Sequence, residues 1–311
     1  MRVYSRREFN RIVAGGLTLT ALGVAPVLAS DPCAIEHPFV PPRAEFGGQC
    51  PNCGMLRSMW ARTWMIFENS TGQYDACSFH CLADMALKAG EPPREVQTAL
   101  YMSPEKMISA NTAWFVVGSK AKGTMTMNSK IAFASKEDAE AFCRSCGGNV
   151  HSFPETFRLA MEECPKEKAM IAERRIKSGK IIEPVDNKDQ CPVCQMYPAR
   201  YPKNRCQIMS SEKIIYHFCS TQCLFNFLKD SKQFVNKDVK PIMIWVTDYP
   251  SGSWISAKTA YYLVGSKLQG PMGHEAFAFD KHAEALSTLH REGGTVLMFP
   301  EVSIEKIKPK E

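Results

Sequence analysis

The chain has 311 residues, which is enough for two domains of ordinary size. Apolar residues make up 45% and charged residues 23% of it, a globular composition that excludes a disordered chain. The net charge is only +6, and four arginines against one glutamate before residue 30 supply half of it, so the charge gives no reason to expect nucleic-acid binding.

The first 29 residues have the pattern of an export signal. The segment SRREF at Ser5–Phe9 resembles the twin-arginine motif, and an apolar run from Ile12 to Ala29 follows it. The run has about 18 residues, the lower limit for a membrane span. We predict a twin-arginine signal peptide over residues 1–29, cleavage near Ala29, and a mature chain in the periplasm that does not span the membrane. An uncleaved membrane anchor is the alternative.

Two stretches of the chain repeat one another. The first begins CPNCGM at Cys50 and the second begins CPVCQM at Cys191, 141 positions later. Five landmarks recur in the same order at separations of 141 to 147, among them Ala139 and Ala283 at a separation of 144. Five ordered matches indicate a duplicated domain. The predicted segments are a first domain, a helical connector and a second domain, at residues 47–153, 154–186 and 187–303.

The first copy begins with strands and a helix that carries cysteines. Alternating residues in Met59–Phe67 predict a strand, and a second short strand ends at Cys77. Ser78 is a candidate N-cap for a helix through Leu87, and Gly90 ends that helix.

The second half of the first copy contains a loop, GSKAKGTMTM, and a second helix. Ser135 is expected to cap this helix, with Asp138 at the capping-box position, and Gly147 is expected to end it. The other strands predicted in this copy are Thr98–Met102, Trp114–Val117 and Val150–Phe153.

The second copy repeats this order of elements. Its predicted elements are a strand at Tyr216, helices over Ser220–Leu228 and Asp280–Arg291, and strands over Ile242–Thr247, Tyr261–Val264 and Thr295–Phe299. Between the copies, residues 154–180 are predicted to form a charged helix that Pro165 interrupts. The fold class is therefore α+β, with mostly antiparallel strands and two helices in each copy.

Sulfur is the distinctive feature of the composition, with 13 cysteines and 16 methionines. In the first copy, Cys50 and Cys53 form a Cys-x2-Cys pair, and Cys77 and Cys81 form a Cys-x3-Cys pair at a helix start, where thiolates are stabilised. The same spacing recurs at Cys191, Cys194, Cys219 and Cys223. Such paired spacing predicts a four-thiolate metal site. A structural zinc clamp and a pair of disulfides, which an oxidising compartment permits, stay open.

A methionine two positions after each Cys-x2-Cys pair favours copper. Met55 and Met196 hold these positions, and a thioether binds Cu(I) but is a poor ligand for zinc. The loop after each VGSK strand adds further candidate ligands, which are Met125 and Met127 in the first copy and Met272 and His274 in the second. These residues predict a Cu(I) site of low coordination number, with zinc at the cysteine pairs as a second possibility.

The CPxCxM start, the VGSK…GPMG segment and the AFAFDKHAEA…GG helix resemble NosL, the copper-binding accessory lipoproteins of nitrous oxide reductase maturation. The spacing Cys-x23-Cys-x3-Cys from Cys53 also resembles the TRASH-type metal-binding motif. The resemblance covers both copies and implies tandem NosL-like domains, each a small ββα-type unit related to the metal-binding part of organomercurial lyases. The ligands it implies are Cys53, Met55 and Met125 or Met127 in the first copy, and Cys194, Met196 and Met272, with His274 nearby, in the second. NosL proteins are typically lipid-anchored single units, and this chain has two units and a twin-arginine signal. The resemblance therefore supports a copper-binding accessory role better than it supports nitrous oxide reductase as the client.

We expect a non-enzymatic copper(I) chaperone that hands the metal to an apo-metalloenzyme client such as nitrous oxide reductase. A thiol–disulfide oxidoreductase is one alternative. In thioredoxin-like enzymes the cysteine pair opens a helix after a strand of a βαβ unit, and the first cysteine pair of this chain lacks that context. A zinc-stabilised interaction module is another, and it would need no methionines. Cys143 and Cys146 could form a metal site or a disulfide, and His80 is expected to be incidental. The cysteines that the pattern leaves unassigned are Cys33, Cys164 and Cys206.

Overall fold

The computed structural model describes residues 33–34 and 48–307, so the signal peptide predicted over residues 1–29 lies outside the described residues. Both copies belong to one compact unit that begins at Pro32. Among the described residues, every helix is too short or too polar to cross a lipid bilayer.

The first repeat contains two sheets. The larger sheet has the strand order β2-β1-β3-β4, with β1 (Met65–Asn69), β2 (Gly72–Ala76), β3 (Arg94–Ala99) and β4 (Met107–Ser109). The smaller sheet has the order β6-β5-β7, with β5 (Trp114–Val117), β6 (Lys130–Phe133) and β7 (Asn149–His151). The helices are α1 (Arg57–Trp60), α2 (Phe79–Ala89), α3 (Lys136–Cys146) and α4 (Phe153–Lys177), with a 3-10 turn at Ala61–Thr63.

The second repeat contains two corresponding sheets. The larger sheet has the order β11-β10-β8-β9, with β8 (Cys206–Ser210), β9 (Ile215–Phe218), β10 (Pro241–Thr247) and β11 (Trp254–Ser256). The smaller sheet has the order β13-β12-β14, with β12 (Tyr261–Val264), β13 (Phe277–Phe279) and β14 (Thr295–Met298). The helices are α5 (Thr221–Lys229), α6 (Lys232–Val235), α7 (His282–Glu292) and α8 (Ile304–Ile307), and 3-10 turns lie at Pro198–Arg200, Ala257–Thr259 and Phe299–Glu301.

The two repeats share one topology, which confirms the α+β class and the tandem arrangement. Every ladder between the strands named above is antiparallel. One predicted landmark is wrong. Helices α3 and α7 begin at Lys136 and His282, so the buried Ala139 corresponds to the buried Ala285 and not to Ala283.

The strand predicted over Met59–Phe67 is wrong in its first half. Residues Arg57–Trp60 form helix α1, and β1 begins only at Met65. Met65 and the two residues after it are all buried, so the start of this strand packs on both faces and does not show the alternation of a half-buried strand. Sequence alternation therefore misplaced the boundary.

The prediction that Pro165 interrupts the connector helix is also wrong. Helix α4 continues through Pro165, although proline lacks the N–H that would bond to the preceding turn. Ala160 and Cys164 on this helix belong to the core of the first repeat, and α4 packs against α2. Tertiary packing on one face thus maintains the helix, and the connector is part of the first repeat's core.

A buried ionic network joins the repeats. Lys88 on α2 lies 3.2 Å from Asp84 and 3.1 Å from Asp280 of the second repeat. Lys168 on α4 lies 2.8 Å from Asp84 and 3.0 Å from Asp280. Burial opposes ionisation of Asp84, but Lys88 and Lys168 outweigh it and hold the pKa of this carboxyl well below its usual value. Asn52, in the first CPxC turn, donates to Asp84 at 3.0 Å, so the network also anchors that turn.

Candidate metal centre

The four predicted cysteines of the first repeat come together. The Sγ atoms of Cys50, Cys53, Cys77 and Cys81 all lie within 4.8 Å of one another. Cys77 Sγ lies 3.4 Å from Cys53 Sγ and 3.6 Å from Cys81 Sγ. Four sulfurs at about 2.3 Å from a common centre would lie about 3.8 Å apart in a tetrahedron, so this spacing suits one metal ion.

The second repeat builds the same arrangement. The Sγ atoms of Cys191, Cys194, Cys219 and Cys223 lie within 4.8 Å of one another. Cys219 Sγ lies 3.3 Å from Cys194 Sγ and 3.8 Å from Cys223 Sγ. All eight cysteines of the two clusters are free thiols, which excludes the disulfide alternative for these residues.

A tight backbone turn positions the first cysteine pair of each cluster. The Cys50 N–H donates to the Met55 carbonyl at 2.9 Å, and the Cys191 N–H donates to the Met196 carbonyl at 2.8 Å. The residue after the second cysteine adopts a left-handed conformation in both turns, with φ of +79° at Gly54 and +66° at Gln195. The turn thus holds the backbone carbonyl of each methionine against the backbone N–H of the first cysteine in its pair.

The second cysteine pair of each cluster lies where a strand passes into a helix. Cys77 precedes α2 and Cys219 precedes α5, so each cluster gains one thiol before its helix and one from the first turn. The Ser220 hydroxyl accepts from the Cys223 N–H at 3.2 Å. Ser78 stands at the N-cap position as predicted, but its side chain makes no capping hydrogen bond.

The cysteines of each cluster shift one another's pKa values in opposite directions. Burial opposes ionisation of Cys50, but hydrogen bonds with Cys53, Cys77 and Cys81 outweigh it and lower the pKa of Cys50 well below its usual value. The hydrogen bond with Cys50 is the largest cause that raises the pKa of Cys77 and Cys81. In the second cluster, hydrogen bonds with Cys194 and its neighbours lower the pKa of Cys191 in the same way. A bound cation would take the place of the protons that hold these sulfurs together.

Thioethers adjoin the first cluster. Met125 Sδ lies 3.8 Å from Cys77 Sγ. Cys53, Met55 and Met125 line one cavity of about 240 Å³. The described contacts bring Met125 rather than Met127 to the cluster, because the Met127 side chain is 59% exposed. Thiol and thioether groups therefore converge in the first repeat.

The predicted ligands of the second repeat differ in exposure. Met196 and Met272 are half-buried and pack against the core that contains Cys191, Cys219 and Cys223. His274 is exposed, and its carbonyl accepts from Gln222 Nε2 at 2.8 Å. Cys194 is half-buried, whereas its counterpart Cys53 is buried, so the second site is the more open of the two.

Two buried carboxylates that sequence reasoning missed hold the methionine loops. Glu167 on α4 lies 2.9 Å from His80 Nδ1 and accepts from the Met127 N–H at 2.8 Å. His80 therefore takes part in supporting the loop, which is a structural role. Burial opposes ionisation of Glu167, but the hydrogen bond with His80 helps to lower its pKa.

In the second repeat, Glu275 performs the same task from within the loop itself. It accepts from the Thr221 hydroxyl at 2.9 Å, the Gln222 N–H at 3.0 Å and the Met272 N–H at 3.3 Å. Glu167 and Glu275 occupy different places in their repeats, so comparing the two copies could not reveal them. In the first repeat, His80 and Glu167 are 87 positions apart in the sequence, so only the folded structure brings them together.

The remaining cysteines have structural surroundings. Cys146 forms a disulfide with Cys33, and Cys143 stays a free thiol, so the Cys143–Cys146 pair is neither a disulfide nor part of a four-cysteine cluster. Burial raises the pKa of Cys164 to about 12 and raises the pKa of Cys206 well above its usual value. Buried thiols of this kind are unreactive.

Comparison with known proteins identifies the family. The NosL family profile matches residues 44–158 and 182–307. The copper-binding lipoprotein NosL of Stutzerimonas stutzeri is 33% identical over 132 residues, a region that covers 39% of this chain and 66% of the lipoprotein, so the chain spans just under two thirds of that relative's length.

Two solved structures are similar to parts of the chain. The copper chaperone NosL from Shewanella denitrificans has 26% identity and a TM-score of 0.35, and the match covers 40% of this chain and 96% of that one. The apo-NosL protein from Achromobacter cycloclastes has 24% identity and a TM-score of 0.28, with coverage of 34% and 90%. Because the family profile matches twice and spans most of the sequence, this chain belongs to the NosL family.

Proposed function

We propose that this protein is an exported, non-enzymatic copper(I) chaperone that passes its metal to an apo-metalloenzyme such as nitrous oxide reductase. The observation that carries the proposal is the approach of Met125 Sδ to 3.8 Å from Cys77 Sγ, beside a cavity that Cys53 and Met55 also line. Thiolate and thioether ligands together select a soft ion such as Cu(I). The names of the relatives, a copper-binding lipoprotein and a copper chaperone, support the same assignment.

The cavity beside the first cluster favours copper over zinc. Among the described residues that line it there is no carboxylate or imidazole, and its remaining charged groups are lysine and arginine side chains. Zinc accepts four thiolates, so the four-cysteine cluster alone fits zinc equally well. Zinc at a cluster as a structural ion therefore stays the second candidate, and the methionines are what separate the two metals.

Delivery of copper to a client requires that the bound ion can be transferred from the protein's ligands to those of the client. A Cu(I) ion held by two or three sulfurs can accept an additional ligand, so a client's thiol or thioether could attack before the chaperone releases it. In this proposal the twin-arginine signal over residues 1–29 directs the protein to the periplasm. The two binding domains would then be residues 47–153 and 187–303, with residues 154–186 between them.

The test is a competition titration of the anaerobically purified protein with Cu(I) and a chelator, combined with zinc analysis. Replacing Met55 and Met125 by Leu should weaken copper binding at one of two sites by about tenfold or more and leave the zinc content unchanged. The Met196→Leu and Met272→Leu pair should affect the other site. Met102→Leu is the matched control, because Met102 is 52% exposed and lies outside the cavity. Undiminished copper affinity in both double variants would refute the proposal.

A further inference from the structure

We infer that Met243, a residue of the second repeat, supplies a third thioether to the copper cavity of the first repeat. The first site would then be complete only when the two repeats are packed together. This inference rests on the proposed copper function. It goes beyond it by assigning a ligand that a protein with a single NosL unit could not have.

Met243 lies directly over the first CPxC turn. Its Cγ and Cε atoms lie 3.6 and 3.8 Å from the point that a Cβ on Gly54 would occupy. Since Sδ is bonded to both of these atoms, the thioether sits against the backbone between Cys53 and Met55. Met243 lines the same cavity as Cys53, Met55 and Met125, so one thiol and three thioethers face a common space.

The charged groups around this cavity do not compete as ligands for a soft cation. Its cationic side chains are Lys122, Arg174, Arg175 and Lys180. Ammonium and guanidinium groups donate hydrogen bonds and offer no lone pair to a metal. A neutral thioether adds a ligand without adding charge, and it is a soft donor of the kind that Cu(I) prefers.

Sheet packing alone does not demand an apolar residue at position 243. Met243 pairs with Met209 across the β10–β8 ladder. In the first repeat Thr98 pairs with Met65 as Val246 pairs with Cys206, and counting back along the strand from these residues places Glu95 at the position of Met243, beside a register shift that the first repeat has and the second lacks here. The fold therefore accepts a charged side chain at this position of the strand, so strand pairing alone does not explain the methionine at 243. Met243 is also only half-buried.

Contacts between the repeats hold Met243 in place. The Ser256 hydroxyl donates to the Pro51 carbonyl at 2.7 Å, and Lys258 Nζ donates to Gln49 Oε1 at 2.7 Å. Both donors come from the second repeat, and both acceptors lie at the start of the first CPxC turn. The turn and the strand that carries Met243 are thus fixed together, as a shared metal site requires.

The test follows methionine methyl groups by NMR. The full-length mature protein, labelled with 13C at the methionine ε-methyl groups and assigned by single Leu substitutions, is titrated anaerobically with Cu(I). The inference predicts that the Met243 resonance moves together with those of Met55 and Met125. Movement of Met55 and Met125 without Met243 would overturn the inference and leave the proposed function intact. If none of the three moves, both the inference and the copper assignment fail.

Affinity measurements separate ligation from proximity. Met243→Leu keeps the volume and apolar character of the side chain but removes the sulfur. It should weaken Cu(I) binding at the first site by about tenfold, while Met209→Leu, its cross-strand neighbour, should not. Both variants should unfold at the same temperature as the parent protein. Equal copper affinity in the Met243→Leu and Met209→Leu variants would contradict a ligand role for Met243.

Discussion

Glu275 shows how a single buried residue can set the position of a candidate ligand. Its carboxylate is the common acceptor for the Thr221 hydroxyl and for the N–H groups of Gln222 and Met272. Burial raises the pKa of Glu275, and these donors offset part of that cost. The carboxylate thus ties the methionine loop to the helix that carries Cys223.

Replacing Glu275 by Ala should lower both stability and copper affinity. Three buried donors would lose their acceptor, which we expect to cost about 2–4 kcal/mol in the free energy of unfolding. Met272 would also be less firmly placed, so Cu(I) binding at the second site should weaken. Denaturant unfolding and a copper titration check both effects. Glu212→Ala removes only an exposed ion pair with Lys237 and should cost less than about 1 kcal/mol; a similar loss in the two variants would contradict the role of Glu275.

At the scale of the element, local sequence signals predicted those features that depend on residues close together in the chain. The strands at Trp114–Val117 and Tyr261–Val264 lie where they were expected, because short apolar runs between turn residues are diagnostic. The cysteine clusters were predictable for the same reason, since their spacing is local and recurs. Met243 was not predictable, because its position over Gly54 depends on how the two repeats pack.

Helix α4 shows how tertiary packing overrides a local signal. Pro165 has strong helix-breaking character, yet the helix runs from Phe153 to Lys177 because Ala160 and Cys164 pack into the core. Its beginning is reinforced by a capping box between Ser152 and Glu155. The proline therefore costs stability that packing offsets.

Replacing Pro165 by Ala should stabilise the protein. Alanine restores the N–H that proline lacks and removes the clash with the preceding turn, a gain of about 3 kcal/mol in an exposed helix. The greater freedom of the unfolded chain reduces this gain by about 1 kcal/mol, so we expect a net gain of about 2 kcal/mol in the free energy of unfolding. Chemical unfolding measures it, with Lys166→Ala as the neighbouring control. A destabilised Pro165→Ala variant would show that the native helix requires the shape that proline imposes.

At the scale of the whole molecule, the ionic network around Lys88 is one of the contacts that join the two repeats. Lys88 is buried and has a raised pKa, because Asp84 and Asp280 outweigh the opposing effect of burial. Two lysines and two aspartates balance in charge, and one of the aspartates comes from the second repeat. Removing Lys88 leaves the two carboxylates to share one cation, Lys168, so we expect a cost lower than the penalty of about 3–5 kcal/mol for a buried charge with no partner.

The pH dependence of unfolding tests this network. The pKa of Asp84 is lower in the folded protein than in the unfolded chain, so its contribution is present above the unfolded value and is lost as the pH falls through the folded value. Lys88→Met should reduce the free energy of unfolding at pH 7 and flatten its decline in acid. It should also broaden the thermal transition, because the coupling between the repeats would be weaker and would depend on Lys168 and on the hydrogen bonds of Ser256 and Lys258. Lys229→Met, which loses an exposed ion pair with Glu305, should keep the parental transition width and pH profile. If Lys88→Met and Lys229→Met unfold alike, contacts other than the charges join the repeats.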